Sequence, residues 1–313
     1  MTINNNLFNP IPLFESKDEW YKNKQTYKGK SSPTIAPCNY ILPMQLTIDR
    51  DLYEELTSDN PDGKLFFYVV KATGGDLEKL SNSEIYNSTE QLPVEIQTQE
   101  NYATMYIGGK YITSYDFGIG TYYLQIMYGV VGDLSKSKTW YSDLFTWHRN
   151  TYDMLHIGYR NSEPIITENE YMPFYQTIND SPLHTKMEMW LDIELMNSEF
   201  AFEDTTTMQD GYERVEKRIS YKKYVAVFPA TEYMVEALRL LWHCDSIAMR
   251  QRNKRYNIHD VNMEVVWEQD NHFAKVTMKF KTDSIIQTNA NAMYMDSARY
   301  ADFDDDYNID FDV

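Results

Sequence analysis

His243 and Cys244 place an imidazole and a thiol side by side in the sequence. Cysteine nucleophiles need such a base within reach of the sulfur. On a helix, however, consecutive residues diverge by about 100° and do not face each other. The chain has no Gly-x-Ser-x-Gly elbow, and neither cysteine sits in a protease-like context. The six histidines (His148, His156, His184, His243, His259 and His272) show neither His-x-x-x-His nor His-Glu-x-x-His spacing, so no zinc pair is indicated. Asp302, Asp304, Asp306, Asn308 and Asp310 do fall at positions 1, 3, 5, 7 and 9 of a calcium loop. Tyr307 then occupies the position that needs glycine, and Val313 the one that needs a bidentate glutamate. Phosphate-cradling glycine motifs are absent, and Gly74-Gly75 and Gly108-Gly109 read as turns. A glycosidase needs only two carboxylates at the right separation, and among 47 acids no pair stands out. The expectation is no catalytic residue, no metal and no cofactor.

Tyrosine is the prominent residue type instead, with 26 copies on a chain of net charge −18. Its rigid apolar face and polar tip suit both burial and contact surfaces. The excess of 47 acidic over 29 basic residues argues against sequence-independent binding to duplex nucleic acid. Two local basic segments remain, 214–223 and 249–255. They read either as solvated strand and loop faces or as receivers of an acidic segment from a neighbouring subunit. Cys38 and Cys244 are too sparse for a disulfide framework, which fits folding in a reducing cytoplasm. The first residues show no basic and apolar leader pattern. Leu65–Val70, the longest strongly apolar run, has a strand's length and falls far short of the roughly 20 residues a membrane helix needs.

The elements that would carry these residues are mainly β. Residues 1–40 read as an extended arm, because Pro10, Pro12, Pro33 and Pro37 oppose regular helix. The arm is nevertheless rich in Leu7, Phe8, Ile11, Leu13, Phe14 and Trp20, so it should pack on its own body or on a neighbour. Residues 41–148 form a first β domain, with strands at 41–48, 65–70, 102–107 and 121–128. Residues 149–285 form a second, with strands at 154–159, 186–195 and 221–229 and a hairpin from 263–267 to 273–280. In 186–195, Met187, Met189, Leu191, Ile193 and Leu195 alternate with Lys186, Glu188, Asp192 and Glu194, the pattern of a half-buried strand. One helix is expected over 231–243, capped by Thr231, with Met234, Ala237, Leu238 and Leu241 as its core stripe. Residues 286–313 form an acidic, aromatic tail: Tyr300, Phe303, Tyr307 and Phe311 lie among Asp302, Asp304, Asp305, Asp306, Asp310 and Asp312. It reads as a solubilising tail or as a docking peptide. The fold class is thus mainly β: two β-sandwich or barrel-like domains with one inserted helix and extended N- and C-terminal arms.

The stretch from Trp140 onward carries a resemblance. Trp140–Phe145 and Met154–Asn161 are followed by Asp210-Gly211-Tyr212, the basic strand Lys217–Tyr224 and the helix Thr231–Trp242. Asp245-Ser246-Ile247, Val265–Glu268 and Ala274–Phe280 complete the series. In order and spacing these segments resemble structural tail proteins of Bacteroidetes-infecting phages, including crAss-like phages, over about 140–285. The opening Phe8–Phe14 is similar in character. The resemblance implies a non-enzymatic virion component: a ring, hub or adaptor subunit of the tail, assembled in the host cytoplasm in many symmetric copies beside other tail proteins. Phe8, Phe14 and Trp20 in the arm, and Phe303, Tyr307 and Phe311 in the tail, are the candidate protein-contact residues. Two rivals stay open, a carbohydrate-binding or host-adhesion module and a glycan-degrading enzyme.

Overall fold

Aromatic and β-branched residues suit a pleated surface, and strands form where they crowd together. The computed structural model describes residues 9–20, 34–58, 64–72, 85–87, 94–98, 100–112, 117–130, 133–161, 186–193, 195, 198–209, 211–267 and 273–289. The first half contributes β1 (Leu13–Phe14), β2 (Ile35–Pro37), β3 (Tyr40–Ile41), β4 (Met44–Asp49), helix α1 (Arg50–Ser58) and β5 (Lys64–Lys71). After these come β6 (Ile85–Asn87), β7 (Val94–Thr98), β8 (Tyr102–Ile107), β9 (Lys110–Tyr111), β10 (Gly120–Val130), β11 (Asp133–Ser142) and β12 (Phe145–His148). The second half holds β13 (Leu155–Arg160), β14 (Met187–Leu191), β15 (Glu199–Gln209), β16 (Tyr212–Ala230) and helix α2 (Glu232–Arg239), which tightens into a 3₁₀ turn, Leu240–His243. Three strands close the described chain: β17 (Ser246–Gln251), β18 (Lys254–Trp267) and β19 (Ala274–Asn289).

The fold is mainly β, as the sequence predicts. One sheet runs β1-β11-β10-β12-β2-β14-β13-β17-β18-β19-β16-β15, with β5 and then β6 branching from β10. A separate sheet, β4-β8-β7, packs its Met44, Leu46, Ile48, Met105 and Ile107 into one core with Phe67, Val69, Tyr122, Leu124 and Ile126. In the second core α2 lies against sheet strands: Met234, Ala237, Leu238 and Leu241 pack with Ala226, Phe228, Val276 and Met278. Each such buried side chain contributes about 1.5–3 kcal/mol. Thr231 caps α2 by accepting a 3.3 Å bond from the Met234 amide, so cap and stripe both match the pattern that predicts them.

The boundary expected near residue 148 falls inside the continuous sheet. Tyr106, from the first half, packs in the second core, whereas Met154 and Trp190, from the second half, pack in the first. The segment expected as an extended arm likewise enters the sheet over 35–37. Ile35–Pro37 is an interior strand, parallel to β12 on one side and paired with Trp190 of β14 on the other. Proline is tolerated there at the strand's last position. A helical stretch also opens at 17–20, once Pro10 and Pro12 are past. At the other end β19 continues to Asn289, four residues into the expected tail. α1 was not anticipated; Leu52 and Tyr53, half-buried, pack it on the first core.

Candidate assembly surface

Two of the six expected contact residues are described, and both are spent within the chain. Phe14 and Trp20 are buried in a small cluster with Val70 and Tyr123. Trp20 donates its indole N–H to the Ser142 carbonyl at 2.8 Å, and Phe14 meets Tyr233 of α2 edge-on at 6.4 Å. Asn9 imitates a strand partner: its amide donates to the Gln45 carbonyl at 2.7 Å and its carbonyl accepts from the Gln45 amide at 2.9 Å. Residues 9–20 of the arm therefore pack on the chain's own body. Phe8, Phe303, Tyr307 and Phe311 lie outside the described residues.

The contact surface the fold does offer is a different element. β15 and β16 pair antiparallel from Glu199↔Lys223 to Gln209↔Tyr212. The ladder closes at Gln209↔Tyr212, and Gly211 beside it sits at φ +82°, the left-handed conformation that favours glycine. Among the described residues β19 pairs with this ribbon as far as Lys217↔Asn289, and no strand pairs with the outer side of β15. Phe200 is 65%, Phe202 66%, Met208 73% and Tyr212 79% exposed. Hairpins of two strands are marginal alone, and their open edges template further pairing. Polar cross-links stiffen this one: Arg218 grips Asp204 through two bonds of 2.9 and 2.8 Å, and Glu203 accepts from Tyr221 at 2.7 Å and from Lys281 at 3.1 Å. In the sequence the available signal for this hairpin is the Asp210-Gly211 dipeptide between β-prone runs, which marks a turn but not the pairing of its flanks.

At the root of the hairpin the two basic segments converge. A cleft of about 500 Å³ is lined by Lys222 from the first segment and by Gln251, Arg252 and Lys254 from the second, with Tyr152, Tyr224 and Tyr256. Tyr224 and Tyr256 meet edge-on at 4.9 Å. Gln251 fixes one wall: its amide donates to the Asp153 and Ile193 carbonyls, both at 2.8 Å, and its carbonyl accepts from the Leu195 amide at 3.1 Å. Arg252 turns the β17–β18 hairpin at φ +56°, a conformation uncommon for a side-chain-bearing residue. Its amide bonds the Tyr152 carbonyl at 2.8 Å, and its guanidinium pairs with Asp153 at 3.0 Å. Among the described residues no carboxylate pairs with Lys222 or Lys254. The lining offers phenols and cations and contains no carboxylate. Such chemistry suits an anionic, aromatic ligand.

The most perturbed titratable groups lie elsewhere, at the seam between the halves. Glu188 faces Gly158 across the β13–β14 ladder. Gly158 leaves room for Lys186, whose Cε lies 2.6 Å from where a Cβ would stand, to reach Glu188 Oε1 with its ammonium group. Tyr40 donates to Oε2, and His156 Nε2 stands 3.7 Å from Oε1 while its ring stacks on Trp190 at 4.2 Å. Burial works to raise the Glu188 pKa, but the donors around it outweigh burial and hold it down at about 2. Because 3.7 Å is too long for a hydrogen bond, Tyr40 and Lys186 carry most of that effect. The expectation that Glu188 lies on a solvated face is thereby corrected: every residue of β14 is buried. Cys244 is no activated nucleophile. Its thiol donates to the Leu240 carbonyl at 3.2 Å, burial pushes its pKa up to about 12, and His243 beside it is exposed. Among the described residues no group of three or more His, Cys, Asp and Glu could hold a metal, and no helix is long and apolar enough to cross a membrane.

No protein-family model, curated protein or solved structure matches the chain.

Proposed function

We propose that the chain is a non-enzymatic structural subunit of a phage tail, a ring, hub or adaptor, which joins neighbouring copies of itself and other tail proteins. The observation that carries the reading is the β15–β16 hairpin, with Phe200, Phe202, Met208 and Tyr212 in solvent and, among the described residues, no strand on the outer side of β15. Exposed apolar groups gathered on one projecting element are the mark of an assembly surface. In a ring each copy presents one surface to a different surface of the next, which suits a hairpin reaching away from its own core. The resemblance of residues 140–285 to phage tail proteins supports the same reading, and the net charge of −18 would keep DNA from sticking to a tail lumen.

Light scattering and negative-stain microscopy of the purified protein, alone and with co-expressed tail proteins, provide the test. Discrete rings, and their loss in F200S/F202S with the fold intact, are the expected outcome. A protein that stays monomeric under every condition, or that hydrolyses host capsular polysaccharide, overturns the reading.

A further inference from the structure

Among the described residues the cleft beneath the hairpin is lined by cations and phenols and by no carboxylate; Asp153 pairs with Arg252, and no carboxylate pairs with Lys222 or Lys254. The same chain carries a segment of opposite chemistry. Between 302 and 312 the sequence holds six aspartates and no cation, and the triplet Asp-Phe-Asp occurs twice, at 302–304 and 310–312. We infer that an Asp-Phe-Asp triplet from the C-terminal tail of a second copy docks in the cleft lined by Lys222, Arg252, Lys254, Tyr152, Tyr224 and Tyr256. The inference rests on the reading of the chain as a self-assembling subunit, and names the partner surface.

Four observations favour that occupant. The cleft, at about 500 Å³, lies within the roughly 300–1,000 Å³ range of compact ligand sites, with room for a phenyl ring and its flanking carboxylates. The ring packs on Tyr224 and Tyr256, and the carboxylates meet the ammonium groups of Lys222 and Lys254 at the rim, where opposite charge selects the partner. Arg252 is held at φ +56° in the cleft wall, a conformation that persists only where surrounding contacts enforce it. Phe200 pairs with Lys222 across the ladder, with the Lys222 ammonium 5.9 Å from its ring, and Phe202 follows on the same face. An apolar strip therefore leads out of the cleft, along which a peptide can lie.

Chain direction selects the second copy over the first. β19 runs antiparallel to β16 and ends at Asn289 opposite Lys217, heading for the hairpin tip. Lys222 and Tyr224 lie behind it. The 24 residues 290–313 reach up to about 80 Å. A second copy beyond the tip would meet them without a turn, whereas the chain's own cleft, behind Asn289, requires a reversal.

The test uses full-length variants, with a melt to confirm folding. K222E/K254E reverses the cleft; D302K/D304K/D310K/D312K reverses the tail. A labelled peptide of residues 299–313 should bind the wild-type chain saturably, more weakly as salt rises, and at least about tenfold more weakly to K222E/K254E. Substituting Phe303 and Phe311 in the peptide by Ala should weaken it similarly. Each variant alone should lose tail-dependent association, and an equimolar mixture should form one-to-one pairs, since one intact tail then meets one intact cleft. Absence of peptide binding, or binding indifferent to the cleft, overturns the inference. So does rescue only when both reversals share one chain, which would place the tail in its own cleft. Rings that persist without peptide binding defeat this inference alone; rings lost in F200S/F202S with peptide binding intact leave it standing.

Discussion

Tyr40 and Glu188 stand 148 residues apart and meet through a 2.5 Å hydrogen bond, the phenol donating to the carboxylate. The bond ties β3 to β14, and so joins the two halves of the chain. Tyr40 is itself wedged between Tyr111 at 4.7 Å and Trp190 at 5.2 Å. Burial first, and then the charge of Glu188, push the Tyr40 pKa far above the ordinary value, so the phenol keeps its proton. Removing the carboxylate in Glu188→Ala leaves Lys186 and Tyr40 without their acceptor and should cost about 2–4 kcal/mol in urea unfolding. Tyr40→Phe, which removes one charge-assisted bond and keeps the ring, should cost about 2 kcal/mol.

The same carboxylate gives stability a defined acid limb. An ordinary glutamate titrates near 4.5, and Glu188 in the fold near 2. As pH falls the unfolded chain takes up this proton first, so the contribution is complete above 4.5, shrinks below it and is gone below about 2. The stability gap between wild type and Glu188→Gln should therefore be flat from neutral pH down to about 5 and close between there and about 2. A gap that does not change with pH would refute the assignment.

Trp20 is a fastener for the arm. Its ring packs on Tyr123 at 5.0 Å, and its indole N–H reaches the Ser142 carbonyl. Trp20→Ala should cost about 3–5 kcal/mol and expose residues 9–20 to proteolysis. If ring formation were lost while stability stayed at the wild-type level, Trp20 would be an intermolecular contact instead.

Gly211 has open space around a would-be Cβ, but its φ of +82° penalises any side chain. Gly211→Val should cost about 1–2 kcal/mol, confined to the hairpin. Faster amide exchange over 203–217, with no change in α2, would report it.

Cys244 should resist thiol reagents. With its pKa near 12, the thiolate is scarce at pH 8. Labelling of native protein should leave Cys244 unmodified until denaturant is added, as read by mass spectrometry of the peptide that carries it.

Much of this architecture can be read from local pattern. The Thr231 cap and the stripe of α2 lie within a dozen residues of each other, and β18 and β19 pair up to Trp267↔Ala274, seven residues apart in sequence. Glu188 could not be read that way. Alternation assigns it to water, but Tyr40 and Gly158, distant in sequence, enclose it. The placement of Ile35–Pro37 between β12 and β14 is likewise a long-range fact, and Pro37 argues locally against it. α1 was missed because Arg50–Ser58 offers only Leu52, Tyr53 and Leu56 as apolar residues, a stripe of little more than one turn among acids and polar residues. For the assembly surface, Asp210-Gly211 marks a turn, but alternation presumes one buried face, and β15 buries neither. The basic segments 214–223 and 249–255 were visible as charge; their meeting around one cleft is a product of the β17–β18 and β15–β16 turns.

Ile35 finds its β14 partner only at Trp190, 155 residues further along. The middle of the sheet therefore stays open until that residue has left the ribosome, a wait of about 8–30 s at common elongation speeds. During that interval the edge of β2 that faces away from β12 is bare, and a sister chain emerging nearby carries the same open Ile35 segment. Exchange of this segment between nascent chains is the fold's characteristic hazard, and it makes the pace of synthesis, as much as final stability, a determinant of the yield of correctly closed subunits.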